Sequence, residues 1–272
     1  MISLDMLYNL VIYEILMAVL LLVIGVIFTI RWREKRSEAI KYLALTYFMF
    51  IFGTLFAAYG HLIYTKYWFL LLLDYAWIPY LLTGYIIPIN IPRIITVFDP
   101  TTLSIVLHVE GYLKTLVYQW SASLIFAAIG HLFIYLFTLS AFKEVNRKYV
   151  APYAVFIGAV IFVLLVNLNI TINWGLAFTV GLVTQGLLIY YSIKAMRLTE
   201  SKLYKTGFLL VSFTAVLFIL FFGCYLLDSL LGGWTIFLFV GWTLVLISAI
   251  PTYIGYVLPE WFRKRYEKPK HK

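Results

Sequence analysis

Seven apolar runs of membrane-spanning length order this chain: 6–30, 38–64, 120–142, 149–168, 174–196, 203–227 and 234–257. Each is about as long as the roughly 20–25 residues an α-helix needs to cross a bilayer. None keeps the apolar stripe opposite a polar face that marks a helix on the surface of a soluble domain. The pattern predicts an all-α, polytopic integral membrane protein with seven transmembrane helices. A cleaved leader is not expected, because Asp5 precedes the first run and Arg31, Trp32 and Arg33 follow it, the reverse of a signal peptide's charge order.

The pattern is broken between residues 65 and 117. Residues 68–73 are apolar, but Asp74 follows, then Pro79, Pro88 and Pro92. Proline removes a backbone donor and interrupts helices. Such backbone is tolerated at membrane depth only inside protein or beside a cavity. Residues 101–118 hold His108, Glu110 and Lys114, with Leu103, Val106, Leu107 and Leu113 roughly on one face, which suits an amphipathic helix. The expected organisation is one membrane domain: two helices over 1–64, an outer, partly re-entrant cap over 65–117, five helices over 118–258, and a basic tail over 259–272. A nine-span arrangement, with two crossings inside 65–117, stays open.

Charge orients the runs. Of 21 Lys and Arg, 17 lie in four short segments, four of them at 31–36, three at 143–148, four at 194–205 and six at 263–272. Each segment directly follows an apolar run, and the positive-inside rule reads all four as cytoplasmic. The sequence therefore predicts a multi-pass protein of the cell membrane with its N-terminus outside and its C-terminus in the cytoplasm. The net charge of +9 is accounted for by topology and by attraction to anionic lipid heads, without nucleic acid. The 64% hydrophobic and 12% charged composition agrees, against about 45–50% and about 25% in soluble domains.

Candidate chemistry lies in the polar residues inside the runs. Phe56-Ala57-Ala58-Tyr59-Gly60-His61-Leu62 returns seventy residues later as Phe126-Ala127-Ala128-Ile129-Gly130-His131-Leu132. Ionisable groups within a membrane are costly and point to function. In the predicted topology Glu14, His61, Asn167, Asn169 and Asp228 all fall in the outer half, with His131 near mid-depth. Gln185 approaches the middle, and Asp74 lies in the cap. These groups are expected to converge on an outward-facing cavity that binds a ligand. Each also has a plainer role, as a helix-packing or interfacial residue.

Three functional classes compete for that cavity. The first is a sensor-like or partner-binding module. The second is electron transfer, with His61 and His131 as the two axial ligands of a haem b and Gly60 and Gly130 admitting the macrocycle. The third is a small-solute or ion transporter, since the repeated phrase sits on helices of opposite direction, as inverted repeats do. An enzyme is not expected. His-Glu-x-x-His and Gly-x-Ser-x-Gly are absent, and Cys224 is the single cysteine. A bacteriorhodopsin-like pigment is not expected either, since no lysine lies between Trp234 and Val257 for a Schiff base.

The ending Tyr253-Ile-Gly-Tyr-Val-Leu-Pro259-Glu260-Trp261-Phe262-Arg263-Lys264 closes the last apolar run on Pro-x-Trp and basic residues. With the five helices before it, it resembles the amino-terminal seven-helix sensor modules of prokaryotic histidine kinases. The resemblance implies a sensor role. With no output domain in these 272 residues, it further implies that a partner protein supplies the output.

Overall fold

The computed structural model describes residues 4–72, 100–143, 145–167, 169–231 and 236–266, with side chains from residue 8 to 62 and from 118 onward. All the described elements are helices: α1 (Leu4–Lys35), α2 (Glu38–Leu72), α3 (Pro100–Phe142), α4 (Arg147–Val166), α5 (Ile170–Leu198), α6 (Lys202–Leu230), α7 (Ile236–Val257) and the short α8 (Glu260–Arg263). Seven of them are long and apolar enough to cross a membrane, so the chain is an all-α, seven-helix membrane protein.

Two boundaries differ most from expectation. Helix α2 continues to Leu72, past the expected end near Tyr64. Residues 101–118 and 120–142, expected as separate helices, form the single α3 of 43 residues. The reason is local. Pro100 occupies the first helical position, where its missing N–H costs nothing, and no proline follows before Phe142. His108, Glu110 and Lys114 affect where a helix leaves the bilayer, not whether it continues. At 1.5 Å per residue α3 is roughly 64 Å long, about twice the ~30 Å hydrocarbon core. The remainder of the expected cap, and the nine-span alternative, turn on residues 73–99, which lie outside the described residues.

Helix α1 packs on α2, α2 on α3, α3 on α5, α5 on α6, α6 on α7, and α7 returns to α1. Six helices thus close a ring. Its thinnest seam is between α1 and α7. Helix α4 stands outside, against α3 and marginally α5, and buries only the stripe Tyr153, Ile157, Val160 and Leu164. Because lipid is as apolar as the interior, both faces of α1 are hydrophobic. Leu16, Val19 and Val23 are exposed, whereas Leu10, Glu14, Met17, Leu21, Ile24 and Phe28 turn inward. What distinguishes the interior is small and polar residues. Several satisfy themselves within their own helix: Thr54 donates to Phe50 O at 2.8 Å and Thr138 to Ile134 O at 2.8 Å.

Antiparallel packing of α3 on α2, with short connections between the other helices, puts the C-terminal ends of α1, α3, α5 and α7 at one end of the bundle, which is also the basic end. There Leu258 adopts φ 47°, a left-handed residue that ends α7 and starts α8 at an angle. Arg263 Nε donates to Leu258 O at 2.8 Å, Phe262 is buried, and Trp261 is half exposed. The Pro-Glu-Trp-Phe-Arg ending is thus a folded foot on the bundle.

Candidate functional site

Helices α2 and α3 run antiparallel, and the two copies of the repeated phrase face each other. Phe56 stacks on Phe126 with ring centroids 5.4 Å apart and planes 14° apart. Six residues before each phenylalanine stands another aromatic, Phe50 on α2 and Trp120 on α3. Each fills the space left by the glycine of the opposite copy. A Cβ on Gly60 would lie 2.9 Å from Trp120 Nε1, and one on Gly130 would lie 2.5 Å from Phe50 Cε1. The histidines follow the same local two-fold relation: His61 lies beside Trp120 at 5.7 Å and His131 beside Phe50 at 5.5 Å. The phrase is therefore a reciprocal interlock of aromatic rings into glycines.

The histidines differ in what else they meet. His61 Nδ1 is 2.8 Å from Oε2 of Glu14, whose relative exposure is 0%. The indole of Trp242 on α7 donates through Nε1 to Oε1 of the same carboxylate at 3.2 Å. A carboxylate without water must be paired and hydrogen-bonded. Glu14 meets that requirement by joining α1 to both of its ring neighbours, α2 through His61 and α7 through Trp242. A carboxylate offers about four lone-pair sites, so acceptor capacity remains. Tyr225 of α6 sits among the same groups, within electrostatic reach of Glu14 and Asp228. Its buried hydroxyl approaches Glu14 and Trp242 without a well-formed hydrogen bond.

Below this cluster, toward the basic end, the ring helices line a partly open cavity of about 50 Å³. A water needs roughly 10–15 Å³ of such space, so the cavity has room for only a few. Its walls are mostly aromatic and apolar, with Phe50, Trp174, Phe221, Phe222 and Trp242 among them, and Thr54 and Ser123 the small polar exceptions.

His131 lies further down. Phe50, whose ring it touches, precedes His61 by eleven residues on α2, an axial separation of roughly 16 Å. It is 1% exposed, packs between Phe50 and Phe222, and neither ring nitrogen has a hydrogen-bond partner. The structure brings Glu14 and His61 together but places His131 in a different layer.

That arrangement does not fit a bis-histidine haem b. The spaces at Gly60 and Gly130 are filled by Trp120 and Phe50, His61 Nδ1 is taken by Glu14, and the space between the layers is small. Among the described residues no group of three or more His, Cys, Asp or Glu could hold a metal ion.

The asparagines serve the α4–α5 junction. Asn169 caps α5, its side chain accepting from the backbone N–H of Thr171 and Ile172. Asn167 Nδ2 donates to Asn173 Oδ1 at 3.0 Å, and Asn173 in turn donates to Ser121 Oγ at 3.2 Å. Thr171 and Ser229 share a hydrogen bond of 2.8 Å. Asn169 is therefore used in folding the junction. Asp228 is buried on α6 above Tyr225, and Gln185 is buried on α5. Asp74 lies outside the described residues.

Two site residues escaped sequence reasoning. Trp242 looks like one more aromatic in an apolar helix, and nothing in spacing links it to Glu14 228 positions earlier. Asn173 lies in a stretch of sequence without charge that reads as a connection; it falls in the first turn of α5, and its burial depends on the fold. Scans against protein families, curated proteins and solved structures give no match to this chain.

Proposed function

We propose that the chain is a membrane-embedded, sensor-like module that binds a small ligand inside the helix ring and passes the change to a protein partner. One observation carries this reading. A fully buried carboxylate, Glu14, sits at the thinnest seam of the ring, hydrogen-bonded to the helix on each side, directly above an aromatic cavity. The walls suit a largely apolar molecule. The groups at the top, the remaining lone pairs of Glu14 and the hydroxyl of Tyr225, suit a hydroxyl or amine donor.

The cavity is far smaller than the ~300–1,000 Å³ of ordinary ligand sites. A ligand larger than a few waters enters only if the α1–α7 seam parts, so binding and a change in helix packing are one event. That supplies the differential affinity between two states that a signal requires. The role is binding rather than catalysis. In the cell membrane, with the basic end in the cytoplasm, the ligand arrives from outside or from the outer leaflet.

The test is tryptophan fluorescence of the purified protein in lipid nanodiscs, titrated with indole, tyramine and benzyl alcohol. Saturable quenching by at least one probe is expected, lost in Ala57→Phe, which fills the cavity, and weakened in Tyr225→Phe. Non-saturable partitioning that is the same in all three proteins would sink the reading.

The α2–α3 pseudo-symmetry favours a second reading, transport, because it sets one histidine on each side of the interlock. Uptake of a binding probe into proteoliposomes, driven by a proton gradient and abolished by His131→Gln, would select it over sensing.

A further inference from the structure

A second concavity lies at the basic end, remote from Glu14. The last turns of α3, α5 and α7 and the start of α6 enclose a groove of about 610 Å³, within the ~300–1,000 Å³ typical of small-molecule sites. Phe137, Phe142, Leu198, Phe208, Val211 and Tyr256 form much of its wall. The wall is built rather than accidental: the Phe142 ring stacks on Tyr191 at 6.3 Å and packs on Phe208 at 5.8 Å, while Tyr256 stands edge-on to Phe137 at 5.2 Å.

The rim has the opposite character. Arg197 directly precedes Leu198, and Lys202 and Lys205 flank Tyr204, which also lines the groove. All three cations are exposed, and none forms an ion pair among the described residues. Glu200, the acidic group of the same connection, also makes no ion pair there. Ser201 leaves the first N–H groups of α6 without a side-chain cap. Lys143, just past the end of α3, is engaged elsewhere, with Nζ 3.5 Å from the centroid of the Tyr149 ring.

Depth decides the class of occupant. Val211 lies nine residues inside α6, so the groove reaches roughly 13 Å below the helix start. A soluble anion has no use for an aromatic wall at that depth, and a cytoplasmic protein segment would have to enter the hydrocarbon layer to reach it. A phospholipid already spans both levels. We propose that this groove binds one anionic phospholipid, its acyl chain along the Phe137–Val211 wall and its phosphate at the Arg197, Lys202 and Lys205 rim. The site is independent of the ring cavity.

The experiment uses the full chain in detergent with added phosphatidylglycerol, phosphatidylcholine or glycerol phosphate, read by native mass spectrometry and thermal shift. Expected is retention of one phosphatidylglycerol per chain, with phosphatidylcholine retained at least fivefold less and glycerol phosphate without effect. R197Q/K202Q/K205Q should lower phosphatidylglycerol retention about tenfold, and Ala141→Trp, which fills the groove from an exposed position, should abolish it. The melting temperature of both variants in phosphatidylcholine should stay within a few degrees of native, showing that they fold. Three results would each overturn the proposal: equal retention of both lipids, stabilisation by glycerol phosphate alone, or undiminished retention by the Ala141→Trp protein. The last would leave the groove to a protein partner.

Discussion

Replacing Glu14 with leucine tests whether the buried carboxylate is a structural link across the ring. The side chains are similar in size, so the change removes the acceptor with little loss of volume. Two buried donors then lose their partner, His61 Nδ1 from its 2.8 Å contact and Trp242 Nε1 from its 3.2 Å contact. Each orphaned group costs about 1–3 kcal/mol, and breaking one side of a buried pair typically costs about 3–5 kcal/mol. The expected destabilisation is therefore about 4 kcal/mol. Glu14→Gln should cost only about 1 kcal/mol, because its carbonyl can still accept from Trp242 while its amide donates to His61. Glu14→Leu combined with His61→Leu should recover part of the loss, since replacing both partners by apolar groups is far cheaper than orphaning one. Reversible unfolding in mixed micelles, titrated with denaturing detergent and followed by circular dichroism, gives the free energies. Leu16→Ala, on the lipid-facing side of α1, serves as the control. The reasoning fails if Glu14→Leu lies within about 0.5 kcal/mol of that control, or if the double variant is strictly additive.

The other expectations can be checked with the same material. His61→Gln and His131→Gln should be additive to within about 0.5 kcal/mol, because the rings lie in different layers; a larger coupling would put both in one site. Gly130→Ala should destabilise by about 1–3 kcal/mol through overpacking against Phe50, whereas Gly158→Ala, whose Cβ would meet nothing within 4 Å, should be neutral or slightly stabilising; equal effects would discredit the interlock. A reporter fused after Lys272 should be cytoplasmic and one at Gly232 external, and two external signals would overturn the orientation.

The seven helices were legible because membrane-length apolar runs leave few alternatives, and because the basic segments mark where each pair of runs turns. The extension of α3 back to Pro100 was not. Polar side chains at His108, Glu110 and Lys114 suggested a separate element, yet such side chains do not end a helix, and no proline follows Pro100 before Phe142. At the site, a buried carboxylate and two histidines could be nominated from cost alone. Which histidine meets Glu14 depends on how α1 lies across α2, a long-range packing that the repeated phrase conceals. The two copies look equivalent, and with respect to each other they are. Helix α1 breaks the equivalence by supplying a partner to His61 and none to His131. Asn167 and Asn169 were nominated for the same reason as Glu14, but short polar side chains next to a helix start have a cheaper use as caps.

The distribution of packing across the ring gives the proposed signal a physical route. Helices α2 and α3 are locked by two aromatic rings seated in two glycines and by the Phe56–Phe126 stack. Beyond α2, α1 meets α7 over the thinnest contact in the ring, and Glu14 hydrogen-bonds across it to Trp242. Local opening draws on the regions with the fewest buried contacts, so the seam is where the ring yields first. A ligand that competes for the Glu14 carboxylate weakens the link to α7 while His61 still holds α1 to the locked pair. In the proposed sensing, the motion then starts at the α1–α7 seam. Helix α7 leads directly through Leu258 into the α8 foot, whose Phe262 is buried and whose Trp261 faces outward at the basic end. In the proposed sensing, a displacement that begins at a buried carboxylate near one face would end at the α8 foot on the other, where the proposed partner would read it.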